Sequence, residues 1–341
     1  MSNMMRTLAG LAFIILLEST ACGWPPEVET LTCTSTADGS EQKSLLYTPP
    51  GDEPVPLLVA FHTWSGNYQQ NESPYAQWCI ARGWAFLHPD SRGACNRPEA
   101  CGSELALADV RAAIDSVRSR RAIDEKRIYA IGVSGGGMMA LLVAARMPEV
   151  WGGVSAWVPV TDLKQWHADS LQRKNKYARD IEGVCGGPPG HSPGVDEQYA
   201  IRSPVTHLGK TVPAFGIDIN TGIHDGFTGS VPVGHAIRAF NRIAEVKDRL
   251  ADDSIAAMEG NRAVPVDLLF HGRDPLYATR PVLFRRTSGN ARITVFDGGH
   301  DIVHEAGLTW LEAQARGAAP VWQAAPHEPL VLGAKAAASG R

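Results

Sequence analysis

Residues 127–142 read Arg-Ile-Tyr-Ala-Ile-Gly-Val-Ser-Gly-Gly-Gly-Met-Met-Ala-Leu-Leu, and they contain the turn Gly132-Val133-Ser134-Gly135-Gly136. An apolar run typical of a buried strand precedes the turn, and small and apolar residues typical of a helix follow it. A Gly-x-Ser-x-Gly turn between a strand and a helix forces the serine into a strained, exposed position. The stretch therefore predicts a nucleophilic Ser134, with the Gly135 N–H at the helix start as an oxyanion donor. The alternative is a glycine-rich turn in which Ser134 only caps the helix.

Strand-like and helix-like segments alternate on both sides of this turn. Apolar runs that suit strands buried in a parallel sheet lie at residues 55–61, 84–88, 127–133, 151–160, 212–219 and 291–296. Segments with helical spacing lie at residues 75–82, 104–121, 136–145, 231–250 and 301–316. The alternation predicts an α/β-hydrolase fold: a doubly wound, mostly parallel sheet with helices on both faces.

The remaining segments set the domain organisation. Residues 27–316 are expected to form a single domain that starts with a strand pair at residues 27–47. Residues 161–210 interrupt the alternation and predict a helical or loop insertion, a cap over the carboxyl edge of the sheet. Residues 251–290 predict an irregular excursion with a strand at 264–270, and the composition after Gly317 predicts a disordered tail at 317–341.

The first residues predict export. A short basic start, a run of apolar residues at 8–17 and the small residues Ser19-Thr20-Ala21 are typical of a cleaved signal peptide at residues 1–21. Cys22 follows directly, so acylation of Cys22 and membrane attachment as a lipoprotein is the alternative to secretion or release into the periplasm. Export permits disulfides, and a bridge involving Cys101 is expected, with a partner that the sequence does not identify.

Composition excludes one class of partner. The 341 residues carry a formal net charge of −4, and no basic block interleaved with aromatic residues occurs. Nucleic acid is therefore not expected to bind. The oligomeric state cannot be predicted.

A nucleophilic serine needs a histidine base and an acid that orients it. Gly298-Gly299-His300 follows the last predicted strand, where the chain order serine, acid, histidine places the base. His304 is the rival. Asp225 lies after a predicted strand between the two and is the first choice of acid, with Asp274 as the alternative and Asp218 less favoured because it falls within a strand.

The second oxyanion donor is expected in the loop after the 55–61 strand, which reads His62-Thr63-Trp64-Ser65-Gly66. The backbone N–H of Trp64 or Thr63 would donate, with Trp64 as the choice. The Trp64 ring either walls the leaving-group side of the site or is a core anchor.

Taken together, these motifs resemble the catalytic domain of the prolyl oligopeptidase family over roughly residues 45–315. The matching pieces are Asp90-Ser91-Arg92-Gly93, Asp109-Val110-Arg111, Asp124, Arg127-Ile128, the 132–137 turn, Pro148-Glu149, Arg202-Ser203-Pro204, Val212-Pro213, His224-Asp225, Val231-Pro232 and Gly298-Gly299-His300. The resemblance implies Ser134, Asp225 and His300 as the triad. The segment between Asp225 and His300 is longer than in the family pattern, which keeps Asp274 open.

Large members of that family carry an N-terminal propeller, and with so few residues expected before the hydrolase domain, none is expected here. The chain therefore looks more like exported esterases that act on acylated carbohydrates, with Trp64, Trp157 and Trp166 as candidates for a sugar-binding cleft.

The sequence thus predicts an exported serine hydrolase that cleaves small-molecule or carbohydrate esters through an acyl-enzyme, without a cofactor. A serine peptidase acting on short peptides is the close alternative. Two others belong to different classes: a metal hydrolase using His300 and His304, and a non-catalytic binding protein on a hydrolase scaffold. The first lacks the Glu of H-E-x-x-H and a third ligand, so no metal is expected.

Overall fold

The structure is a computed structural model that describes residues 23–210 and 213–325. The predicted signal peptide, Cys22 and residues 326–341 of the predicted tail lie outside the described residues. Within the described ranges, no helix is long and apolar enough to cross a membrane.

A nine-stranded sheet runs through the domain in the order β1-β2-β4-β3-β5-β6-β7-β9-β8. Strands β3 to β7 and β9 are mutually parallel, whereas β1, β2 and β8 pair antiparallel at the two edges. The strands are β1 (Glu29–Thr34), β2 (Glu41–Tyr47), β3 (Val55–Phe61), β4 (Ala85–Pro89), β5 (Ile123–Val133), β6 (Gly153–Trp157), β7 (Gly216–Gly222), β8 (Val282–Ser288) and β9 (Ala291–Phe296). This is the predicted mostly parallel sheet of an α/β-hydrolase fold.

Helices cover both faces of the sheet. They are α1 (Ser73–Arg82), α2 (Glu104–Arg120), α3 (Gly135–Arg146), α4 (Leu163–Gln172), α5 (Tyr177–Cys185), α6 (Pro193–Ile201), α7 (Pro204–His207), α8 (Gly234–Ile243), α9 (Asp252–Asn261) and α10 (His304–Glu312). Alternate residues of β3 feed two separate cores, because successive side chains of a strand point to opposite faces. Leu57 and Val59 join α2, α3 and α8 in one core, and Leu58 joins α1 and α10 in the other.

The insertion at residues 161–210 is helical and consists of α4 to α7. Asp162 begins it by accepting hydrogen bonds from the backbone N–H groups of Lys164 and Gln165, an N-cap that starts α4.

The region 251–290 differs from the prediction. The expected strand at 264–270 is wrong: Pro265 removes a ladder donor, residues Val266–Leu268 form a 3₁₀ turn, and the Val266 side chain is exposed. The strand instead lies at Val282–Ser288, where the pair Arg285-Arg286 hides the apolar alternation. Arg285 is accommodated at this edge because its guanidinium pairs with Asp274.

The predicted helix at 231–250 is shorter, ending at Ile243. The Asn241 side chain donates to the carbonyl of Leu250 at 2.8 Å and accepts from its N–H at 2.9 Å. This pair of bonds folds the chain back on the helix, so that the helix does not continue.

The expectation of a disordered tail from Gly317 is wrong for the residues up to Trp322. The Trp322 ring stacks on Trp310 at 5.8 Å between centroids, and its carbonyl accepts from Arg292. The backbone carbonyl and N–H of Val321 form two hydrogen bonds with the side-chain amide of Gln314. One ring stacking and three partly buried hydrogen bonds therefore hold this segment on the domain.

The expected disulfide is absent from the described residues. Cys33, Cys79, Cys95, Cys101 and Cys185 are all free thiols, and all but Cys33 are buried. Burial raises the pKa of the Cys101 and Cys185 thiols, which keeps both in the unreactive thiol form.

Candidate active site

Ser134 occupies a sharp turn between β5 and α3. Its backbone has φ +60° and ψ −116°, a conformation that residues other than glycine seldom adopt. The Ser134 N–H donates to the carbonyl of Trp157 at 2.9 Å, which ties the turn to the end of β6. A side chain at Gly132 would meet the Gly136 carbonyl at 2.3 Å, so that glycine is required for the close approach. The strain is of the kind that is stored at functional turns.

His300 and Asp225 form a hydrogen-bonded pair. The distance from His300 Nδ1 to Asp225 Oδ2 is 2.6 Å, and the Asp225 side chain is fully buried. The other carboxylate oxygen accepts from the N–H groups of Gly226 at 2.8 Å and Val231 at 3.2 Å. These bonds fix the carboxylate, which in turn fixes the ring. Among the described residues, no hydrogen bond occupies Nε2, the other ring nitrogen of His300.

The other two acid candidates have different partners. Asp274 caps a 3₁₀ turn by accepting from the Leu276 N–H and pairs with Arg285 at 2.8 Å. Asp218 lies inside β7 and pairs with Arg292 at 2.7 Å. Of the three, only Asp225 contacts His300, so the geometry favours the first choice of acid.

His304, the rival base, is the first residue of α10. Its ring packs against Tyr75 with 5.1 Å between centroids, and burial lowers its pKa. Among the described residues, Asp225 hydrogen-bonds to His300 and not to His304. Among residues 23–210 and 213–325, no group of three or more His, Cys, Asp or Glu side chains is arranged to hold a metal ion.

The two expected oxyanion donors are neighbours. A side chain at Gly135 would lie 2.5 Å from the backbone nitrogen of Trp64, so the oxyanion loop, residues 62–66, runs directly beside the start of α3. The Thr63 N–H is already engaged, since it donates to Gln70 Oε1 at 3.0 Å. In the described part of the chain, neither the Trp64 nor the Gly135 N–H donates to a backbone carbonyl. The geometry therefore favours Trp64 over Thr63.

The tryptophans proposed for a sugar-binding cleft are core residues. Trp64, Trp157 and Trp166 are each at most 2% exposed. Trp64 packs edge-on against Trp166 and donates from its indole N–H to Asp180 in the cap, while Trp166 donates to the carbonyl of Ser230. They thus link the oxyanion loop, the cap and the loop after Asp225, and the ring of Trp64 is the core anchor.

Two of the motif pieces meet in the fold. The Arg92 guanidinium forms a two-pronged contact with Asp109, with distances of 2.5 Å and 3.2 Å, and also pairs with Asp38. The loop that follows β4, beside the oxyanion loop, is thereby fixed to α2.

A family model described as the prolyl oligopeptidase family matches residues 71–243, just over half of the chain. The chain belongs to the prolyl oligopeptidase family. The matched region includes Ser134 and Asp225, whereas the oxyanion loop and His300 lie on either side of it. A search of curated proteins gave no match.

Solved structures of similar fold include three peptidases. The acylaminoacyl peptidase of Pyrococcus horikoshii has a TM-score of 0.52 and 16% identity over 63% of this chain and 34% of that one. Oligopeptidase B of Leishmania major has a TM-score of 0.51 and 15% identity over 63% and 30%. Prolyl oligopeptidase B of Galerina marginata has a TM-score of 0.51 and 17% identity over 64% and 31%. At these identities the likeness is one of fold, and this chain spans about a third of their lengths.

Sequence reasoning missed Gln70, which contacts the oxyanion loop eight residues after that loop begins. No motif marks it, because its role depends on a chain reversal between Gly66 and α1.

Proposed function

We propose that this protein is a serine hydrolase, and more specifically a carboxylic-ester hydrolase that acts through an acyl-enzyme on Ser134. The observation that carries the proposal is the 2.6 Å hydrogen bond between His300 and Asp225 in a fold that presents Ser134 on a strained turn. Strands β5, β7 and β9 are parallel and end at the same edge of the sheet, so the loops carrying the three residues emerge together.

The reaction follows from these positions. The Ser134 hydroxyl oxygen attacks the ester carbonyl while the free Nε2 of His300 takes the hydroxyl proton. The N–H groups of Trp64 and Gly135 donate to the oxyanion that develops. The tetrahedral intermediate collapses, the alcohol leaves with the proton from His300, and an acyl-Ser134 ester remains. Water then repeats the sequence and releases the carboxylic acid.

An ester is the substrate class that this set of groups suits with least additional machinery, because an alkoxide or phenoxide is a far better leaving group than an amide anion, so that an ester depends less on proton transfer from His300. We include acylated carbohydrates among these esters. A peptidase activity on short peptides is the second candidate, and the family to which the chain belongs, with the peptidases of similar fold, favours it.

A hydrolysis panel separates the candidates. Wild-type protein and the Ser134→Ala variant are assayed on aryl esters, acetylated and feruloylated sugars, and short acyl-peptides. Ester hydrolysis that is lost in Ser134→Ala supports the proposal. Cleavage of acyl-peptides without ester hydrolysis favours the peptidase, and no turnover on any substrate favours a binding protein on a hydrolase scaffold.

We also propose that the protein is exported, on the signal-like residues 1–21. Intact-mass and N-terminal analysis of the protein recovered from its native host tests this. A mature chain beginning at Cys22 supports cleavage, and a diacylglycerol mass on Cys22 would place the protein at a membrane. An intact N-terminus would contradict export.

A further inference from the structure

We propose that Gln70 is a positioning residue that aims the Trp64 N–H at the oxyanion; the inference rests on the proposed function. Gln70 lies after the oxyanion loop, and its side-chain hydrogen bonds to described residues go to Thr63 and Glu72 and to none of Ser134, Asp225 and His300. Its side-chain oxygen accepts two hydrogen bonds from Thr63, from the backbone N–H at 3.0 Å and from the hydroxyl at 2.8 Å. One amide oxygen thus holds both donors of the residue that precedes Trp64.

The orientation of the Gln70 amide is determined by its partners. The Thr63 N–H can only donate, so the amide oxygen must face Thr63, and the NH₂ group faces the other way. There it donates to Glu72 Oε1 at 2.5 Å. Glu72 is buried and stands at the start of α1, so the helix anchors the glutamine from behind.

Gly66 makes room for this contact. A side chain at Gly66 would lie 1.9 Å from Gln70 Oε1, a separation that two non-bonded atoms cannot reach. The oxyanion loop can therefore close on Gln70 only because residue 66 is glycine. This explains the glycine at that position without invoking a special backbone angle.

The carbonyl of Thr63 sets the direction of the Trp64 N–H. That carbonyl accepts from the Gly66 N–H at 3.0 Å and from Nδ1 of His62 at 2.9 Å, so it points into the loop. In a trans peptide the N–H points opposite to the carbonyl, which turns the Trp64 N–H outward toward the start of α3. Gln70 holds the peptide group on the N-terminal side of Thr63, and His62 and Gly66 hold the one on its C-terminal side. The Trp64 N–H is therefore preorganised.

His62 adds a second tie to the neighbouring loop. Its Nε2 lies 2.6 Å from the carbonyl of Asp90, at the end of β4. The two ring nitrogens of His62 thus lie within hydrogen-bond distance of two backbone carbonyls, those of Thr63 and Asp90. The oxyanion loop is therefore held from two sides, by Gln70 and by His62.

The test compares Gln70→Met with Gln69→Met. Methionine keeps the length of the side chain and removes the acceptor, and Gln69 is an exposed neighbour whose side chain makes no hydrogen bond in the structure. We expect Gln70→Met to lower kcat on an aryl ester at least about 10-fold with KM changed less than about twofold, because the interaction acts on the transition state. The rate of labelling by a fluorophosphonate should fall in parallel, and Gln69→Met should behave like wild type.

A second pair keeps the inference testable if Gln70→Met does not fold. Thr63→Val removes only the hydroxyl donor and should lower kcat several-fold. Thr63→Ser keeps the hydroxyl and should have a kcat close to that of wild type. Folded Gln70→Met or Thr63→Val protein with wild-type kcat would overturn the inference while leaving the proposed function intact. Wild-type protein inert toward both the esters and the fluorophosphonate would contradict the proposed function and the inference with it.

Discussion

Asp225 and Asp274 stand in similar places along the chain, each after an apolar segment and before His300. Their surroundings in the fold differ. Asp225 is buried and directed at His300, whereas Asp274 is directed at Arg285. Asp274 is therefore a structural residue, because its carboxylate pairs with an arginine and caps a turn. Asp225 and Asp274 make a matched pair for mutation.

We expect Asp225→Asn to lower kcat/KM by roughly 10³–10⁴-fold, because an amide nitrogen facing His300 Nδ1 favours the wrong tautomer of the ring. Asp274→Asn should keep activity within a few-fold and lower the melting temperature, since it weakens the pair with Arg285. Ester hydrolysis and thermal melting of both variants check this. A larger loss of activity in Asp274→Asn than in Asp225→Asn would reverse the assignment of the acid.

Gly135 offers a second test at the scale of one residue. A methyl group there would meet backbone atoms of Trp64 at 2.5 and 2.7 Å, and backbone cannot yield as a side chain does. Gly135→Ala should therefore displace the oxyanion loop and reduce kcat by about 10²-fold or more, the cost typical of losing an oxyanion donor. Gly260→Ala is the control, because nothing lies within 4 Å of that position on α9. Equal activity of the two variants would argue against the expected oxyanion site.

Single residues were predictable where a motif or chain order marks them. Ser134 is marked by its turn, and His300 by its place after the last strand. Asp225 was separable from Asp274 only by the partner each side chain meets, and Gln70 is marked by nothing local. The role of Asp225 depends on a contact with a residue distant along the chain, and that of Gln70 on a contact across a chain reversal. The spacing of residues in the sequence encodes neither contact.

At the scale of elements, α1 begins with an unusual carboxylate. Burial raises the pKa of Glu72 to about 7, and the hydrogen bond from Gln70, which lowers the pKa, offsets only part of this effect. The folded protein therefore holds a proton on Glu72 at pH values where the unfolded chain has lost it. Stability from this group is complete below the unfolded pKa of 4.5 and is lost as the pH rises toward 7.

We expect Glu72→Gln to remove this dependence. Relative to wild type, its free energy of unfolding should be similar at pH 4 and higher at pH 8, by up to about 3 kcal/mol. Denaturant unfolding at the two pH values measures the difference. The control is Glu53→Gln, which changes an exposed glutamate. A gap between Glu72→Gln and wild type that stays constant with pH would contradict the account of Glu72.

Two of the buried strands were predicted to the residue. Strands β3 and β9 have the bounds that the sequence indicated, because β9 is buried along its whole length and β3 at every position after Val55. Strand β8 was missed, since an edge strand needs only one buried face and Arg285 and Arg286 mask its alternation. The end of α8 was missed for another reason: the Asn241–Leu250 bonds that stop it are tertiary contacts.

At the scale of the molecule, the sheet brings three loops from distant parts of the chain to one edge. Near the starts of β7 and β9, the buried ion pair Asp218–Arg292 joins the two strands. Arg292 also donates a hydrogen bond to the carbonyl of Trp322. The segment after α10 is therefore part of the domain that holds the acid and base loops in place.

Two truncations test this. A chain ending at residue 325 is the reference, because it keeps every described residue after α10. A chain ending at residue 316 loses Trp322 and leaves polar atoms of Gln314 and Arg292 without partners, so it should be less stable by about 2 kcal/mol or more. Thermal and denaturant unfolding measure both. Equal stability of the two truncated chains would show that the segment contributes nothing to the fold.

Mapping of a fluorophosphonate adduct by mass spectrometry tests the central claim most directly, because the reagent phosphonylates a serine only where a base and an oxyanion site activate it. We predict one adduct per chain, on the peptide that contains Ser134, strongly slowed by Asp225→Asn and absent from Ser134→Ala. An unmodified Ser134 in active wild-type protein, or an adduct that persists on another residue in Ser134→Ala, would contradict it.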